Sequence, residues 1–242
     1  MTGVQTCALP IYNGKRLGGE ENPNAGHRAR LRERLAEGPT ALLDHELIEY
    51  LLALAVPRRD MKPLAKRLMS EFGGIAQVLT ADWAALAAVP GMGDTSVAAI
   101  KVAQAAALRL LYAPVTEKPV LASWQALLDY LRADMAHLQV ERVRVLHLNG
   151  RNMLIRDDHI GDGSVDQAAI YVREVIRRAI DLGSTALILV HNHPSGAPQP
   201  SQQDIAITRQ ISEAGKRMGI SVHDHIIIGS EGHVSMRAMG LI

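Results

Sequence analysis

Two histidines and an aspartate stand at a spacing that suits a metal ion. They are His191, His193 and Asp204, in the stretch HNHPSGAPQPSQQD. The preceding residues 186–190, ALILV, predict a short buried strand. Side chains two positions apart on a strand share a face, so His191 and His193 can reach one ion while Asn192 faces away. The loop rich in Pro and Gly can return Asp204 to this pair, and the three ligands leave a fourth tetrahedral position open, as in a catalytic zinc site.

Each part of this pattern also has a purely structural interpretation. A His-x-His pair can be two hydrogen-bonded histidines. Ser201 and Asp204 form an S-x-x-D pattern ahead of a helical repeat, which is typical of a helix cap. Capping and metal binding are compatible, because the helix dipole stabilises an ionised carboxylate in the first turn. The complete combination of residues favours a metal site.

The same stretch resembles the motif of the JAMM, or MPN-plus, metallopeptidases, in which a Glu precedes His-x-His and Ser-x-x-Asp. The strings HNHPSG and PSQQD resemble the bacterial RadC family, named as DNA-repair proteins. The resemblance extends from about residue 26 to the end of the chain, through GHRARLRERL, DHELIEYLL, KPLAKRL, VPGMG, REVIRRAI and DHIIIG. One departure is Val172, where similar sequences usually carry a Pro, but this position touches no predicted ligand.

The resemblance implies a role for each residue of the motif. His191, His193 and Asp204 would hold Zn²⁺, which lowers the pKa of a bound water toward neutrality. Ser201 would donate a hydrogen bond to the oxyanion of the tetrahedral intermediate. The implied reaction is hydrolysis of a peptide or isopeptide bond in a protein or peptide substrate.

The carboxylate that takes the proton from this water has two candidates. In the family pattern a Glu lies at the start of the strand after the first helix of the domain, which here is Glu141. A solvated residue at a strand end is the structural alternative for it. Glu174 is the competing candidate, on a predicted amphipathic helix where solvent-facing or ion-paired Glu is common. Motif order and strand context favour Glu141 as the general base.

A further pair of histidines alternates on a predicted strand near the C-terminal end. These are His223 and His225, in SVHDHIIIG. Because they share a face of that strand, they could together contact the metal ligands. The alternative is that they are ordinary core and surface histidines, and we favour this second interpretation.

The chain is predicted to divide at residues 113–120, APVTEKPV, whose prolines and polar residues are typical of a linker. Residues 26–112 show helical periodicity and predict a small all-helical domain. Residues 121–242 alternate strands and helices and predict an α/β domain. The resemblance implies that this domain is a JAMM or cytidine-deaminase-like α-β-α core, a mixed sheet with flanking helices. The predicted helices are 27–36, 44–55, 61–72, 83–88, 95–111, 123–136, 170–182 and 203–218, and the predicted strands lie near 142–148, 152–156, 186–190, 225–229 and 233–236.

The helical region contains a turn that resembles a helix-hairpin-helix. Gly91 and Gly93, in VPGMGDTSVAAIKVA, separate two predicted helices. Backbone N–H groups of such a turn can bind a DNA phosphate, and Lys101 on the second helix could add charge. The alternative is a glycine turn that lets two helices pack closely. The motif occurs once and has acidic Asp94 beside it, so it supports DNA contact only weakly.

Composition limits the class of function. Of 242 residues, 48% are hydrophobic, which suffices for a sizeable core. Lys and Arg number 26 against 25 Asp and Glu, so bulk charge does not drive nucleic-acid binding. Two hypotheses stay open: a RadC-like zinc metallopeptidase linked to DNA repair or metabolism, and a DNA-associated module without enzymatic activity. The intact set of histidines and aspartate favours the hydrolase.

The first eleven residues, MTGVQTCALPI, resemble the translated product of a sequencing-library adapter. We interpret residues 1–25 as an adapter-derived artefact and a disordered tail, with a native disordered tail as the alternative. The single cysteine, Cys7, lies there, so the remaining chain has no disulfide framework or thiolate metal site. The sequence shows neither a signal-peptide pattern nor an apolar run of about 20 residues. We therefore expect a cytoplasmic protein without a membrane partner.

Overall fold

A computed structural model of the protein describes residues 25–162 and 171–242. Residues 1–24, on which the interpretation of the N-terminal segment depends, lie outside the described residues. The described helices are Ala25–Glu37 (α1), Asp44–Ala55 (α2), Lys62–Phe72 (α3), Ile75–Thr80 (α4), Trp83–Ala88 (α5), Asp94–Glu117 (α6), Trp124–Met135 (α7), Val172–Asp181 (α8) and Gln202–Arg217 (α9). The described strands are Arg142–Leu148 (β1), Leu154–Asp162 (β2), Ala186–Asn192 (β3), Ser221–Gly229 (β4) and Gly232–Ser235 (β5).

The chain forms two compact units, one ending at Arg67 and one spanning Leu68–Ile242. In the first unit α1 packs against α2, and Leu31, Ile48 and Leu52 are buried. In the second unit α4 and α5 pack against α6, which in turn contacts α7. The sheet and the remaining helices follow in the same unit.

The five strands form one mixed sheet in the order β2-β1-β3-β4-β5. Only β3 and β4 pair in parallel; the other described neighbours are antiparallel. The central strand β3 is buried on both faces, which explains its continuous apolar sequence. Ile188 and Val190 pack in the core beside α7, whereas Leu187 and Leu189 pack in the core beside α8 and α9. A mixed sheet with flanking helices, preceded by a helical region, confirms the predicted fold class.

The irregular linker predicted at 113–120 is wrong for most of its length. Helix α6 continues through this segment to Glu117, and a 3₁₀ turn begins at Val120. The physical reason is burial: Val115 and Val120 are both fully buried in the core beside α7. Their packing offsets the backbone hydrogen bond that Pro114 removes from the helix. The division of function between the two predicted domains stays a prediction.

Helix α6 also corrects an expectation about apolar segments. Among the described residues it is the one helix long and apolar enough, by length and composition alone, to cross a membrane. Val102 and Leu110 on its middle turns are exposed, with 68% and 76% of their surface accessible. Ile100 and Val115, toward its two ends, are fully buried in protein. The helix is therefore anchored in the protein near both ends.

Candidate metal centre

The two histidines of the motif converge at the end of β3. His191 is the second-last residue of this strand and has 1% of its surface exposed. His193 follows the strand, and its backbone N–H donates to the carbonyl of Ile228 at 2.8 Å, which extends the pairing with β4. The Nε2 atoms of His191 and His193 lie 2.9 Å apart. The alternation that the sequence predicted therefore brings both imidazoles to one point.

Asp204 reaches this point from the first turn of α9. Its Oδ1 lies 3.5 Å from Nε2 of His191, and its Oδ2 lies 3.7 Å from Nε2 of His193. Asp204 also completes a capping box, because its Oδ2 accepts hydrogen bonds from the backbone N–H and the hydroxyl of Ser201, at 2.7 and 2.6 Å. Capping and convergence therefore occur together, and the helix N-terminus holds the carboxylate in place.

The chemistry of these three groups fits a metal ion. One ligand atom from each of His191, His193 and Asp204 lies within 4.8 Å of the others. His193 must carry hydrogen on Nδ1, because Nδ1 lies 2.9 Å from the carbonyl of Ala197, which can only accept. Two bare ring nitrogens at 2.9 Å repel each other unless a proton or a cation lies with them. Imidazole nitrogen and carboxylate oxygen are ligands that Zn²⁺ takes in proteins.

The protonation states of the ligands suit this role. Burial lowers the pKa of His191 to about 4, so its imidazole is neutral at pH 7. Although burial opposes ionisation of Asp204, the neighbouring imidazoles of His193 and His191 and the hydrogen bonds from Ser201 hold the pKa of this carboxyl far below its usual range. The nearby carboxylate of Asp204 raises the pKa of His193, against the effect of burial. A neutral buried imidazole and an ionised carboxylate are the forms that bind metal.

Glu141 lies beside this cluster, immediately before β1. The antiparallel register pairs Val143, two residues after Glu141, with His191, and continuing this register would bring Glu141 opposite His193. Burial raises the pKa of the Glu141 carboxyl, and the negative charge of Asp204 raises it further, whereas His193 lowers it. A half-buried carboxylate with a raised pKa beside a metal site is suited to accept a proton.

Asn192 fixes the backbone on both sides of Glu141. On the face opposite the histidines, its Oδ1 accepts a hydrogen bond from the backbone N–H of Arg142 at 2.9 Å. Its Nδ2 donates to the carbonyl of Val140 at 3.1 Å. The side chain is 1% exposed, so these bonds form away from water. The sequence analysis placed Asn192 on the opposite face but assigned it no partner.

Glu174, the competing candidate for the base, lies in the first turn of α8. Its carboxylate is paired with Arg173 at 3.2 Å and with Arg177 at 2.7 Å. All three side chains are substantially exposed, Glu174 at 40%. The structure therefore shows an ion-paired residue on a helix surface, which is the alternative that the sequence analysis gave for Glu174.

The loop after His193 depends on a close approach between two glycines. Gly196 has a φ of 93°, and its carbonyl oxygen would lie 2.0 Å from a Cβ added at Gly229, at the end of β4. Only glycine at 229 permits this contact. The loop then places the carbonyl of Ala197 against His193. Gly229 is distant in sequence from the motif, so local patterns could not identify it.

His225 is not the ordinary core histidine that the sequence analysis favoured. Its Nε2 lies 2.7 Å from Nδ1 of His191, and its Nδ1 lies 2.6 Å from the hydroxyl of Thr208 on α9. His223, two residues earlier, instead contacts the side chain of Asn152 at 2.8 Å. The two histidines therefore differ: His225 contacts a predicted metal ligand directly, and His223 contacts an amide elsewhere.

The turn between α5 and α6 contains Gly91, with a φ of 99°, and Gly93, which caps α6. The ammonium group of Lys101 donates to the carbonyl of Ala81 and to Oε1 of Gln104. Burial lowers the pKa of Lys101. The two glycines therefore occupy a turn as predicted, but Lys101 is engaged by groups of the protein itself. DNA contact at this turn stays a prediction.

Comparison with known proteins shows which family the chain belongs to. A family model described as a RadC-like JAB domain matches residues 121–241, which include all five strands and the His-His-Asp cluster. A UPF0758 protein of Rhodobacter capsulatus is 50% identical over 213 residues, which are 88% of this chain and 100% of that protein. The chain belongs to the RadC family.

Proposed function

We propose that the protein is a zinc-dependent hydrolase that cleaves peptide or isopeptide bonds. The observation that carries this proposal is the convergence of His191, His193 and Asp204, with Glu141 close enough for the charges of Asp204 and His193 to shift its pKa. A purely structural cluster would not require an acceptor carboxylate with a raised pKa at its side. When bound, the metal would supply a Lewis acid and a water of lowered pKa.

Glu141 would move the protons of the reaction. Its carboxylate would accept a proton from the attacking water and return that proton to the nitrogen of the leaving amine. The raised pKa of Glu141 favours both transfers, because the carboxyl can hold the proton between the two steps. Asn192 would support this role by holding the peptide groups on either side of Glu141.

Ser201 would stabilise the oxyanion, and its hydroxyl would have to turn to do so. In the structure this hydroxyl donates to Oδ2 of Asp204, which the backbone N–H of Ser201 also reaches at 2.7 Å. The N–H bond would keep Asp204 in place when the hydroxyl rotates toward the substrate carbonyl. Ser201 is exposed and 20% of the His193 side chain is accessible, so the site is open on the side from which a polypeptide could approach.

The link to DNA repair or metabolism is a separate part of the proposal. It is supported by the glycine turn at Gly91 and Gly93, which leads into the N-terminus of α6, where free backbone N–H groups can hold a phosphate. The alternative function is a DNA-associated module without enzymatic activity. A cytoplasmic location is proposed from the lack of cysteine outside the first 24 residues.

A substrate screen tests the hydrolase directly. Zinc-loaded wild type would be incubated with fluorogenic peptides and with isopeptide-linked pairs, beside Asp204→Asn and Glu141→Gln. We expect turnover by wild type that a zinc chelator abolishes and added zinc restores. Turnover should be absent from Asp204→Asn and lowered by about 10²- to 10⁴-fold in Glu141→Gln. Turnover that persists in Asp204→Asn would show that the activity arises elsewhere. DNA binding by wild type with no turnover of any peptide would favour the alternative function.

A further inference from the structure

Behind His191 lies a buried chain of hydrogen bonds that joins two of the predicted ligands. Nδ1 of His191 lies 2.7 Å from Nε2 of His225, whose Nδ1 lies 2.6 Å from Oγ1 of Thr208. The Thr208 hydroxyl also contacts the backbone carbonyl of Asp204, one turn earlier on α9. His225 and Thr208 are both fully buried. These hydrogen bonds therefore connect β3, β4 and α9 through buried side chains, and reach Asp204 through its backbone carbonyl.

Counting donors and acceptors assigns a direction to this chain. The Thr208 hydroxyl has one hydrogen, and the carbonyl of Asp204 and the sulfur of Met236, 3.9 Å away, can only accept it. If either takes that hydrogen, Nδ1 of His225 must be the donor to Thr208. A neutral His225 then has a bare Nε2, which accepts a hydrogen bond from Nδ1–H of His191. The remaining nitrogen of His191, Nε2, is left with its lone pair toward His193 and Asp204.

We propose that His225 and Thr208 are positioning residues that hold His191 with its hydrogen on Nδ1 and the Nε2 lone pair directed at the metal. This inference rests on the metal site of the proposed function. His193, the more exposed ligand, has its Nδ1 held by a backbone carbonyl. The buried ligand, His191, depends on two side chains for the same task. Partners of this kind fix the tautomer and orientation of a ligand and raise its basicity.

If these hydrogen bonds ran in the opposite direction, His191 would have the other tautomer, and the two tautomers can be distinguished by measurement. If the Thr208 hydroxyl donated to Nδ1 of His225, His225 would donate to His191, and His191 would carry its hydrogen on Nε2. That hydrogen would point at His193, 2.9 Å away, and would block metal binding. Nitrogen chemical shifts of the imidazoles distinguish these tautomers in the metal-free protein. We expect His191 to have hydrogen on Nδ1 only, with any proton between the two Nε2 atoms carried by His193. A hydrogen on Nε2 of His191 would overturn the inference.

Matched variants at Thr208 provide the second readout. Thr208→Val keeps the shape and removes the hydroxyl, whereas Thr208→Ser keeps the hydroxyl. We expect Thr208→Val to weaken Zn²⁺ and Co²⁺ binding by about 10- to 100-fold, measured by chelator competition, and to change the visible absorption of bound Co²⁺. Thr208→Ser should bind within about 3-fold of wild type. Equal affinity and equal Co²⁺ spectra in the two variants would contradict the inference.

A conservative change at His225 separates positioning from packing. His225→Gln offers an oxygen acceptor to His191 and an N–H donor to Thr208, whereas His225→Phe fills the space with neither. Metal affinity should be substantially retained in His225→Gln and lost in His225→Phe, with circular dichroism showing both folded. An equal loss of metal affinity in both folded variants would mean that His225 acts only through packing. If wild type bound no metal the proposed function would fail, but the tautomer of His191 in metal-free protein would still decide this inference.

Discussion

Two glycine-containing turns lead into helix N-termini in this chain, and they are built differently. The turn after His193 leads into α9, whose first-turn Asp204 faces two imidazoles. The turn after α5 leads into α6, whose first-turn Asp94 is exposed. Lys101, the cation predicted to act at the second turn, is engaged by the carbonyl of Ala81. The first helix N-terminus therefore brings a carboxylate to two imidazoles, whereas the second is not part of any such cluster of possible metal ligands among the described residues.

The two turns also differ in how tightly the protein holds them. A Cβ at Gly229 would collide with the carbonyl of Gly196 in the first turn. A Cβ at Gly93 in the second turn would meet no atom within 4 Å. The loop of the candidate metal centre is therefore fixed by contact with β4, whereas a Cβ at Gly93 would have open space around it.

The largest expected effect is the loss of hydrolysis when the candidate base Glu141 is changed. Glu141→Gln should lower hydrolysis by about 10²- to 10⁴-fold while zinc stays bound, because the proton acceptor is removed and the ligands are not. Glu174→Gln is the matched control, since it changes an ion-paired Glu on the surface of α8. Turnover and metal content of both variants check this. An active Glu141→Gln beside an inactive Glu174→Gln would reverse the assignment of the base.

The second largest effect is expected on the free energy of unfolding, when a glycine of each turn is replaced by alanine. Gly229→Ala should destabilise the protein by about 3 kcal/mol, because its Cβ meets backbone that cannot rotate away. It should also weaken zinc binding, since the displaced loop carries the carbonyl that holds His193. Gly93→Ala should cost no more than about 1 kcal/mol, as a change of a helix cap. Urea unfolding measures the stability of both variants. Equal losses of stability would contradict the claim that the first turn is held more tightly than the second.

The third prediction concerns pH. Burial lowers the pKa of His191 to about 4, whereas an unfolded His titrates near about 6.5. Between these values the unfolded chain binds more protons, so the stability of the metal-free protein falls as pH falls. From pH ~7 to pH ~5 this residue should account for a loss of about 2 kcal/mol. Urea unfolding of wild type and His191→Gln at both pH values isolates that loss; identical pH dependence in the two would contradict the prediction.

The smallest effect is expected at Lys101. Because its ammonium is engaged by Ala81 and Gln104, Lys101→Gln should leave any DNA affinity of the full chain almost unchanged. The slope of log affinity against log salt should also stay the same. A slope reduced by about 0.9 would mean that Lys101 contacts a phosphate and would restore its predicted role. Substitution of both Gly91 and Gly93 tests the turn itself.

Local sequence patterns predicted the elements better than their contacts. The apolar run 186–190 and the S-x-x-D pattern predicted the strand before His193 and the helix start at Asp204, because strand patterns and helix capping are local properties. The short helix α4 was missed, and α6 was predicted to end before Pro114. That helix continues because its later turns are buried against a distant segment. Propensity within a short window contains no such information.

The residues that support the candidate site, His225 and Gly229, could not be identified from the sequence because their contacts depend on strand pairing. His225 contacts His191 only because β4 pairs in parallel with β3 at a particular register. The same holds for Gly229, which meets a loop far from it in the chain. Register between strands is set by the packing of the whole sheet and by bulges such as the one at Leu187 and Ile188. A single sequence shows which residues could do chemistry, and the fold determines which ones support them.

The metal content of the purified protein tests the central claim most directly. Elemental mass spectrometry would compare zinc-replete wild type with His191→Ala and with His223→Ala, a control that alters a histidine bonded to Asn152. We expect about one zinc per chain in wild type and in His223→Ala, and almost none in His191→Ala. A folded, metal-replete wild type without zinc would contradict it.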